Sequence, residues 1–596
     1  PPLFQAEDGI RDSVNGLVGS EMCIRDSRGP SRLELIDLVA EDRFAFGGER
    51  LEAGESFAAD ETWVAVQLEP GRRVAALVEL HSKPVLDLAG AVVCGDTAAA
   101  NERLSLVVDV GKHRQDRLNL EHPIVRAGEW WSRSFDLSGR GGRRVELGLE
   151  ARLPAGCSLL LREATIRQTK ASAQRSAEVP PQVLVISVDA LRKDAVGTFG
   201  GSVATPHLDR LAAEGQTWTR HYAAATWTKP SHASMLTGYH VDTHRALQIN
   251  SSMDPAIPTL AERFQGGGMT TAALVYDCGW LSRKWGFGKG FDSYRLTQWR
   301  ARRQAVAAVD WVQRHRNEPF FFFVHTFEPH SDAKMLPYEA PGVSRQSIAE
   351  EFGVDDFGHR DGLRASRFLI ALGRGEIPRQ PGDVEILRAT YDAGVRYLDA
   401  SLGVLFDALR ESGLWDQLLV VVTSDHGEEF DEHGGFEHGS LYEEIIAVPL
   451  IIKWPNSERA GSLSDVLSSS VDLAPTLLGY ARLPTDDLPG TDLRARSNDE
   501  PVFAGTTKRA VIAGNLKASF DHTGALWLFD LTADPGEQRN LLDADPGAAD
   551  KLRQMLREQR RQAKELHRRL GSQQEPTDVA LSEQERQRLR AFGYIE

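Results

Sequence analysis

Val183-Leu184-Val185-Ile186-Ser187-Val188-Asp189 is an apolar run that ends on a carboxylate. It lacks the strict alternation of a strand with one wet face. It therefore reads as a strand buried on both faces, as in parallel sheets with helices on each side. Similar runs follow at Thr271–Tyr276, Phe320–Thr326, Leu418–Ser424 and Val448–Lys453, with helical stretches between them. Strands alternating with helices predict an α/β domain with a mainly parallel sheet. One helix is bounded by its own residues, with Thr205 as cap, Pro206 in the first turn and Gly215 at the end.

Upstream, from about residue 30 to residue 168, the pattern changes. Alternating segments such as Thr62–Leu68 and Arg144–Glu150 are bounded by Gly, Pro, Asp and Asn, which predicts an antiparallel β-sandwich. No catalytic constellation lies there. Residues 169–181, rich in Ser, Ala and Gln and closed by a Pro-Pro pair, read as a linker. Residues 182–542 then make the catalytic domain. The tail 543–596 opens with a helix from Pro546 to about Leu570, whose apolar stripe is Leu552, Met555 and Leu556.

The first 27 residues show no apolar periodicity and repeat Ile-Arg-Asp-Ser at 10–13 and 24–27. They resemble translated sequencing-adapter read-through and are expected to be non-native. A signal peptide lost with the true start would place the protein in the periplasm or outside the cell. A chain of 596 residues is long enough for two or three domains. The formal charge of −16 excludes a general nucleic-acid or anionic-membrane binder, so an anionic substrate must be caught locally. Cys23, Cys94, Cys157 and Cys278 have no metal or redox spacing. No run approaches the about 18 apolar residues that a membrane-spanning helix needs.

Ligand sites in open α/β sheets lie beyond the carboxyl ends of the strands. Three of the expected strands deliver polar residues to that edge: Asp189 after the first, His325 with Glu328 and His330 after Phe320–Val324, and Asp425-His426-Gly427-Glu428 after Leu418–Ser424. Asp189, Asp425 and His426 are oxygen and imidazole donors that suit a divalent cation such as Mn²⁺, Zn²⁺, Ca²⁺ or Mg²⁺. Thr228 precedes Pro230-Ser231-His232-Ala233-Ser234, the first turn of a helix, where an anionic ester is favoured. Standing alone, such a Thr would only cap the helix.

The pieces come in a definite order: Val188–Asp194, Thr205–Ala212, Thr228–Gly238 (TKPSHASMLTG), Glu328-Pro329-His330, Ser424–Glu428 (SDHGE), Glu432–Gly434, His438–Glu444, Val448–Ile452, Val471–Thr476, and Leu528–Glu537 with Asn540-Leu541. In this order the chain resembles the sulfatase family of the alkaline phosphatase superfamily, from about Val183 to Leu542. The resemblance implies that family's fold, and hydrolysis of a sulfuric, phosphoric or phosphonic ester with a divalent metal ion.

This sequence departs from the family at several positions. Thr228 stands where sulfate-ester hydrolases place the Cys or Ser that is oxidised to formylglycine, and threonine cannot give that aldehyde. His232 replaces the family's Arg, Ala190 its frequent second Asp, and His438 its active-site Lys. The resemblance then points to relatives that use an unmodified Thr on phospho-esters. In that pattern Asp189, Asp425, His426 and Thr228 hold the metal, Thr228 attacks, and His438 or His330 protonates the leaving oxygen.

Lys229, His232 and His325 are candidate anion clamps. Arg192 is either a substrate contact or a structural ion-pair partner. A second metal would draw on Glu328, Asp392 and His433. The substrate is expected to be a small-molecule, glycan or lipid ester, with specificity loops near 331–379 and 240–250. The alternatives are a phospho-group transferase of the same superfamily and a degenerate binding protein.

Overall fold

A computed structural model describes residues 181–331, 337–338, 340–341, 343, 345–353 and 365–571, with 579, 581 and 586. Before residue 181 it describes the strands between 32 and 168 and residue 137. Residues 1–27, the expected linker up to 180, and much of the loop 331–379 lie outside the described residues. The chain divides into two compact units, 1–172 and 173–596.

The first unit holds two six-stranded sheets. Their pairings are all antiparallel, with Pro84–Cys94 between Trp130–Asp136 and Cys157–Gln168 in one sheet, and Arg143–Arg152 between Arg73–Leu80 and Leu104–Val110 in the other. The alternating segments of the sequence fall in two of these strands, Glu61–Leu68 and Arg143–Arg152.

The second unit is built on an eight-stranded sheet. Its strands are β1 (Gln182–Val188), β2 (Gln216–Trp218), β3 (Thr270–Tyr276), β4 (Ser293–Thr297), β5 (Phe320–Thr326), β6 (Leu418–Ser424), β7 (Leu450–Lys453) and β8 (Ser462–Ser464), in the order β4-β3-β5-β1-β6-β7-β2-β8. β1 runs parallel to β5 and β6, and β3 parallel to β4 and β5. β7 is antiparallel to both of its neighbours, so the sheet is mainly parallel with a mixed edge.

Both faces of the central strands are buried, as the apolar runs predict. Val183, Val185, Phe321, Phe323, Leu419 and Val421 share one core with Ala233, Met235 and Leu236 of the helix Thr228–Thr237. Phe320 and Phe322 instead meet Trp311, at 5.2 and 4.3 Å between ring centroids. Each such Phe contributes about 3 kcal/mol by leaving water.

The helices that matter below are α1 (Pro206–Glu214), α2 (Thr228–Thr237), α3 (Ala301–Arg314), α4 (Asp383–Glu411) and α5 (Pro546–Leu570). Thr205 flanks α1 but does not cap it; its hydroxyl accepts from Gly197 N–H at 2.8 Å. Residues 502–530, expected within the catalytic domain, form a separate four-stranded antiparallel sheet, β9 (Val502–Ala504), β10 (Arg509–Ala513), β11 (Leu516–Phe520) and β12 (Leu526–Asp530). The apolar stripe of α5 packs on it: Leu552 and Leu556 share a core with Val511, Ala518 and Leu528.

α5 also covers part of the expected specificity segment 240–250. Val241–His244 is a buried helical turn, with Thr243 Oγ1 donating to Ala563 O (3.0 Å) and His567 Nδ1 to Thr243 O (2.9 Å). Among the described residues, no helix is long and apolar enough to cross a membrane.

Candidate active site

The register of the sheet brings the chemistry together. Val188 of β1 lies opposite Thr326 of β5 and Ser424 of β6, so the three strands end level. Asp189 leaves β1 with its N–H on Thr326 O at 2.9 Å. Asp425 and His426 leave β6 beside it, and His325 sits inside β5, whose bounds Phe320–Thr326 are those expected.

Gly427 follows at a point where a Cβ would lie 2.0 Å from Glu444 O, so only glycine fits the turn. Ala190 has φ of 56°, which turns its N–H onto Asp425 Oδ1 at 3.2 Å. His426 N–H reaches the same oxygen at 2.9 Å.

α2 brings Thr228 to this edge. All ten residues of the helix are buried although six of its side chains are polar, so each polar group needs a partner. Ser231 Oγ donates to Asp425 O at 2.6 Å, and Ser234 pairs with His244 at 3.0 Å. His232 uses both ring nitrogens: Nδ1 donates to Thr228 O at 2.9 Å and lies 3.3 Å from Asp425 Oδ2, while Nε2 meets Ser187 Oγ at 2.9 Å. These bonds tie the first turn of α2 to the end of β6. Thr228 is the first residue of the helix, Trp227 holds the cap position, and no side-chain cap bond forms. Capping therefore does not explain this threonine.

Three buried atoms converge without hydrogen-bond partners: Asp189 Oδ1, Asp425 Oδ2 and His426 Nε2. His426 Nε2 lies 3.4 Å from the first and 3.5 Å from the second. Its Nδ1 donates to Gly427 O at 2.8 Å, so a neutral ring presents its Nε2 lone pair to two carboxylate oxygens. Burial pushes Asp189 up and Asp425 well up, and drives His426 well down. Lone pairs facing carboxylates in a dry site repel one another, and a divalent cation removes that repulsion. The donor set fits such an ion, with ligand atoms within 4.8 Å of one another.

His330 and His438 stand next to this cluster. One ring nitrogen from each of His330, His426 and His438 lies within 4.8 Å of the others. His330 donates from Nδ1 to Ser331 O at 2.9 Å and places Nε2 3.9 Å from Asp189 Oδ1. His438 stacks on His426 at 4.3 Å, with Nδ1 3.3 Å from Glu428 Oε1. Burial pushes His330 and His438 down to about 4. The same cause pushes Glu428 well above the usual carboxylate range.

The expected anion clamps are engaged by the protein instead. His325 Nε2 holds Asp189 Oδ2 at 3.2 Å, and burial lowers this imidazole, like His232, to about 3. Arg192 is a structural partner, bound to Asp194 (2.8 and 2.7 Å), Glu432 (2.6 Å) and the carbonyl of Glu428 (2.8 Å).

Lys229 turns away into a cage of Trp285, Trp280 and Trp227, at 4.0, 5.2 and 5.5 Å from the ring centroids. Its Nζ donates to Ile249 O (2.8 Å) and Ser251 O (2.9 Å), and burial lowers its pKa to about 7. Lys229→Met leaves both carbonyls without that donor and is expected to cost about 1–3 kcal/mol. The cost would be read as a lower denaturation midpoint, whereas a substrate clamp would raise KM and leave the midpoint unchanged.

The second-metal candidates do not gather at the site. Glu328 accepts from Thr326 Oγ1 (2.9 Å) and from Ala301 N–H (3.2 Å) at the start of α3. Asp392 lies 3.8 Å from Arg388, and His433 stacks on Tyr442 at 3.5 Å and faces Glu444. Sequence reasoning passes over Ser187, Ser231 and Glu428. Only Glu428 carries a signal, its place in SDHGE two residues after a candidate ligand.

Comparison with known proteins identifies the family. Residues 181–483, half of the chain, match the family described as Sulfatase. The multifunctional alkaline phosphatase superfamily protein PehA of Trinickia caryophylli is 24% identical over 62% of this chain and 93% of its own. An N-acetylglucosamine-6-O-sulfatase of Bacteroides thetaiotaomicron is 23% identical over 66% and 89%. Among solved structures, the phosphonate monoester hydrolase of Agrobacterium radiobacter superposes with a TM-score of 0.52 at 21% identity, over 64% of this chain and 96% of that one. The chain belongs to the sulfatase family and is an ester-hydrolysing enzyme.

Proposed function

We propose that this enzyme hydrolyses phosphoric or phosphonic esters with Thr228 as nucleophile. The observation that carries the reading is the placement of a Thr, which cannot give the formylglycine aldehyde, at the start of a buried helix, tied through His232 and Ser231 to Asp425.

Asp189, Asp425 and His426 would hold a divalent cation, with Thr228 on the same edge. When bound, such an ion lowers the pKa of a coordinated hydroxyl and neutralises charge on non-bridging oxygens. The chain's own residues do the rest. His232 and Ser231 fix the turn that carries Thr228, and His325 orients Asp189. The N-terminus of α2 adds a positive helix end for an anionic ester. His438 supplies a proton to the leaving oxygen, and an anionic ester beside it favours the imidazolium.

The test is a panel of 4-nitrophenyl phosphate, a phenylphosphonate ester and 4-nitrophenyl sulfate, each with Mn²⁺ or Zn²⁺. The expected result is turnover of the phospho-esters at least about a hundredfold faster than the sulfate, the range over which a site built for one charge pattern discriminates. A preference for the sulfate ester would overturn the reading.

A further inference from the structure

Cys94 and Cys157 lie far apart in the sequence, yet the first unit sets them opposite each other. The strands Pro84–Cys94 and Cys157–Gln168 are antiparallel neighbours, and the last residue of the one is the Cα partner of the first residue of the other. Five consecutive rungs fix that register, from Cys157 opposite Cys94 to Leu161 opposite Gly90. The one irregularity of the pairing falls beyond them, between Leu161 and Glu163. Facing residues of an antiparallel pair lie about 4.5 or 5.5 Å apart at Cα and share one face of the sheet. A disulfide needs Cα atoms about 4.4–6.8 Å apart, so this rung has the backbone separation of one.

The rung also stands where a covalent link has most to hold. Trp130–Asp136 pairs with the strand Pro84–Cys94 only as far as Ala91, and Glu61–Leu68 meets the strand Cys157–Gln168 only from Leu159 onward. Among the described residues, the rungs Val93–Ser158 and Cys94–Cys157 are therefore a two-stranded end with no third strand on either side. A two-stranded ribbon is marginal in water by itself, and a bond across its last rung stops it from fraying. The period of two sets Cys94 on the face of Leu86 and Leu88, both buried, so the rung belongs to the buried face of its sheet.

We propose that Cys94 and Cys157 form a disulfide that clamps this end of the sheet. The bond forms by exchange with a disulfide donor. One cysteine thiolate attacks the donor and releases one of its thiols; the second attacks the mixed disulfide and releases the other. Two thiols of the chain are thus oxidised as one donor disulfide is reduced to two thiols. The donor is a small-molecule or protein disulfide of an oxidising compartment such as the periplasm or the cell exterior, and enzyme made in a reducing cytosol lacks the bond. Cys278, a buried free thiol of the second unit, takes no part.

The experiment uses the full chain, produced once in an oxidising compartment and once in a reducing one. Each preparation is denatured in iodoacetamide, digested without reductant and weighed. From the oxidising compartment, the peptides of Cys94 and Cys157 are expected as one linked species, lighter by two hydrogens than the free peptides together, with Cys278 alkylated. In the reducing preparation all three carry the label. Dithiothreitol added to the oxidised enzyme should lower an unfolding midpoint of the full chain by about 10 °C, the scale for a link that closes a long loop in a domain of this size. Cys157→Ser should melt at the midpoint of reduced wild type, with or without dithiothreitol.

Alkylation of both Cys94 and Cys157 in the oxidised preparation, or a link from either to a different cysteine, would overturn the proposal. So would an intact link whose reduction leaves every midpoint unchanged, because it would clamp nothing.

Discussion

Thr228→Ala is expected to lose about a thousandfold or more in kcat/KM on a phospho-ester, because it removes the atom that attacks. Thr228 is buried at the start of α2, and no cap bond depends on its side chain. The fold should therefore survive the change, with a denaturation midpoint within about 1 kcal/mol of wild type. Thr228→Ser keeps a hydroxyl and should retain activity to within about tenfold, the scale of one lost methyl contact. Steady-state kinetics on the two variants, with circular dichroism as the folding control, reads both outcomes. Full activity in Thr228→Ala would remove the mechanism altogether.

The second large effect concerns Asp425. Without a cation, Asp425 and Asp189 are two buried carboxylates whose free oxygens share one imidazole nitrogen, and burial already pushes both toward protonation. Asp425→Asn removes one charge from that repulsion. The cation-free variant should be at least as stable as cation-free wild type, since the desolvation cost of the carboxylate is gone.

Adding Mn²⁺ or Zn²⁺ reverses the order. Wild type gains about 2.7 kcal/mol when the ion is at a hundred times its Kd, and the variant gains little because a ligand is lost. The expected pattern is a melting temperature that rises with metal in wild type and stays flat in Asp425→Asn, together with loss of activity. Equal metal-induced shifts in both proteins would place the ion elsewhere.

Much of this site is legible in the sequence, for a physical reason. A strand buried on both faces must be a continuous apolar run, so β1, β5 and β6 announce themselves. Whatever follows such a run stands at the strand end, which is enough to bring Asp189, Asp425 and His426 to one edge. Short elements are less visible. β2, β4 and β8 have three to five residues each, too few for a period to register, and the four short strands from 502 to 530 merge into the catalytic domain for the same reason.

Long side chains are the least legible. Lys229 and Arg192 look alike in sequence as spare cations near a candidate nucleophile and a candidate ligand. Where they go is decided by Ile249, Ser251 and three tryptophans in one case, and by Glu432, more than two hundred positions away, in the other. The motif order puts His232 and His325 at the site but leaves their roles open. Only the partners Ser187 and Asp189 reveal that both rings hold the machinery rather than the substrate.

The most direct test of the central claim is the mass of the tryptic peptides that carry Thr228, taken from enzyme quenched in acid during turnover of a phosphate or phosphonate ester. The account predicts an added phosphoryl or phosphonyl group on Thr228 and an otherwise unmodified threonine in the resting enzyme. Full turnover with no adduct on that residue, or with the adduct on another, would contradict it.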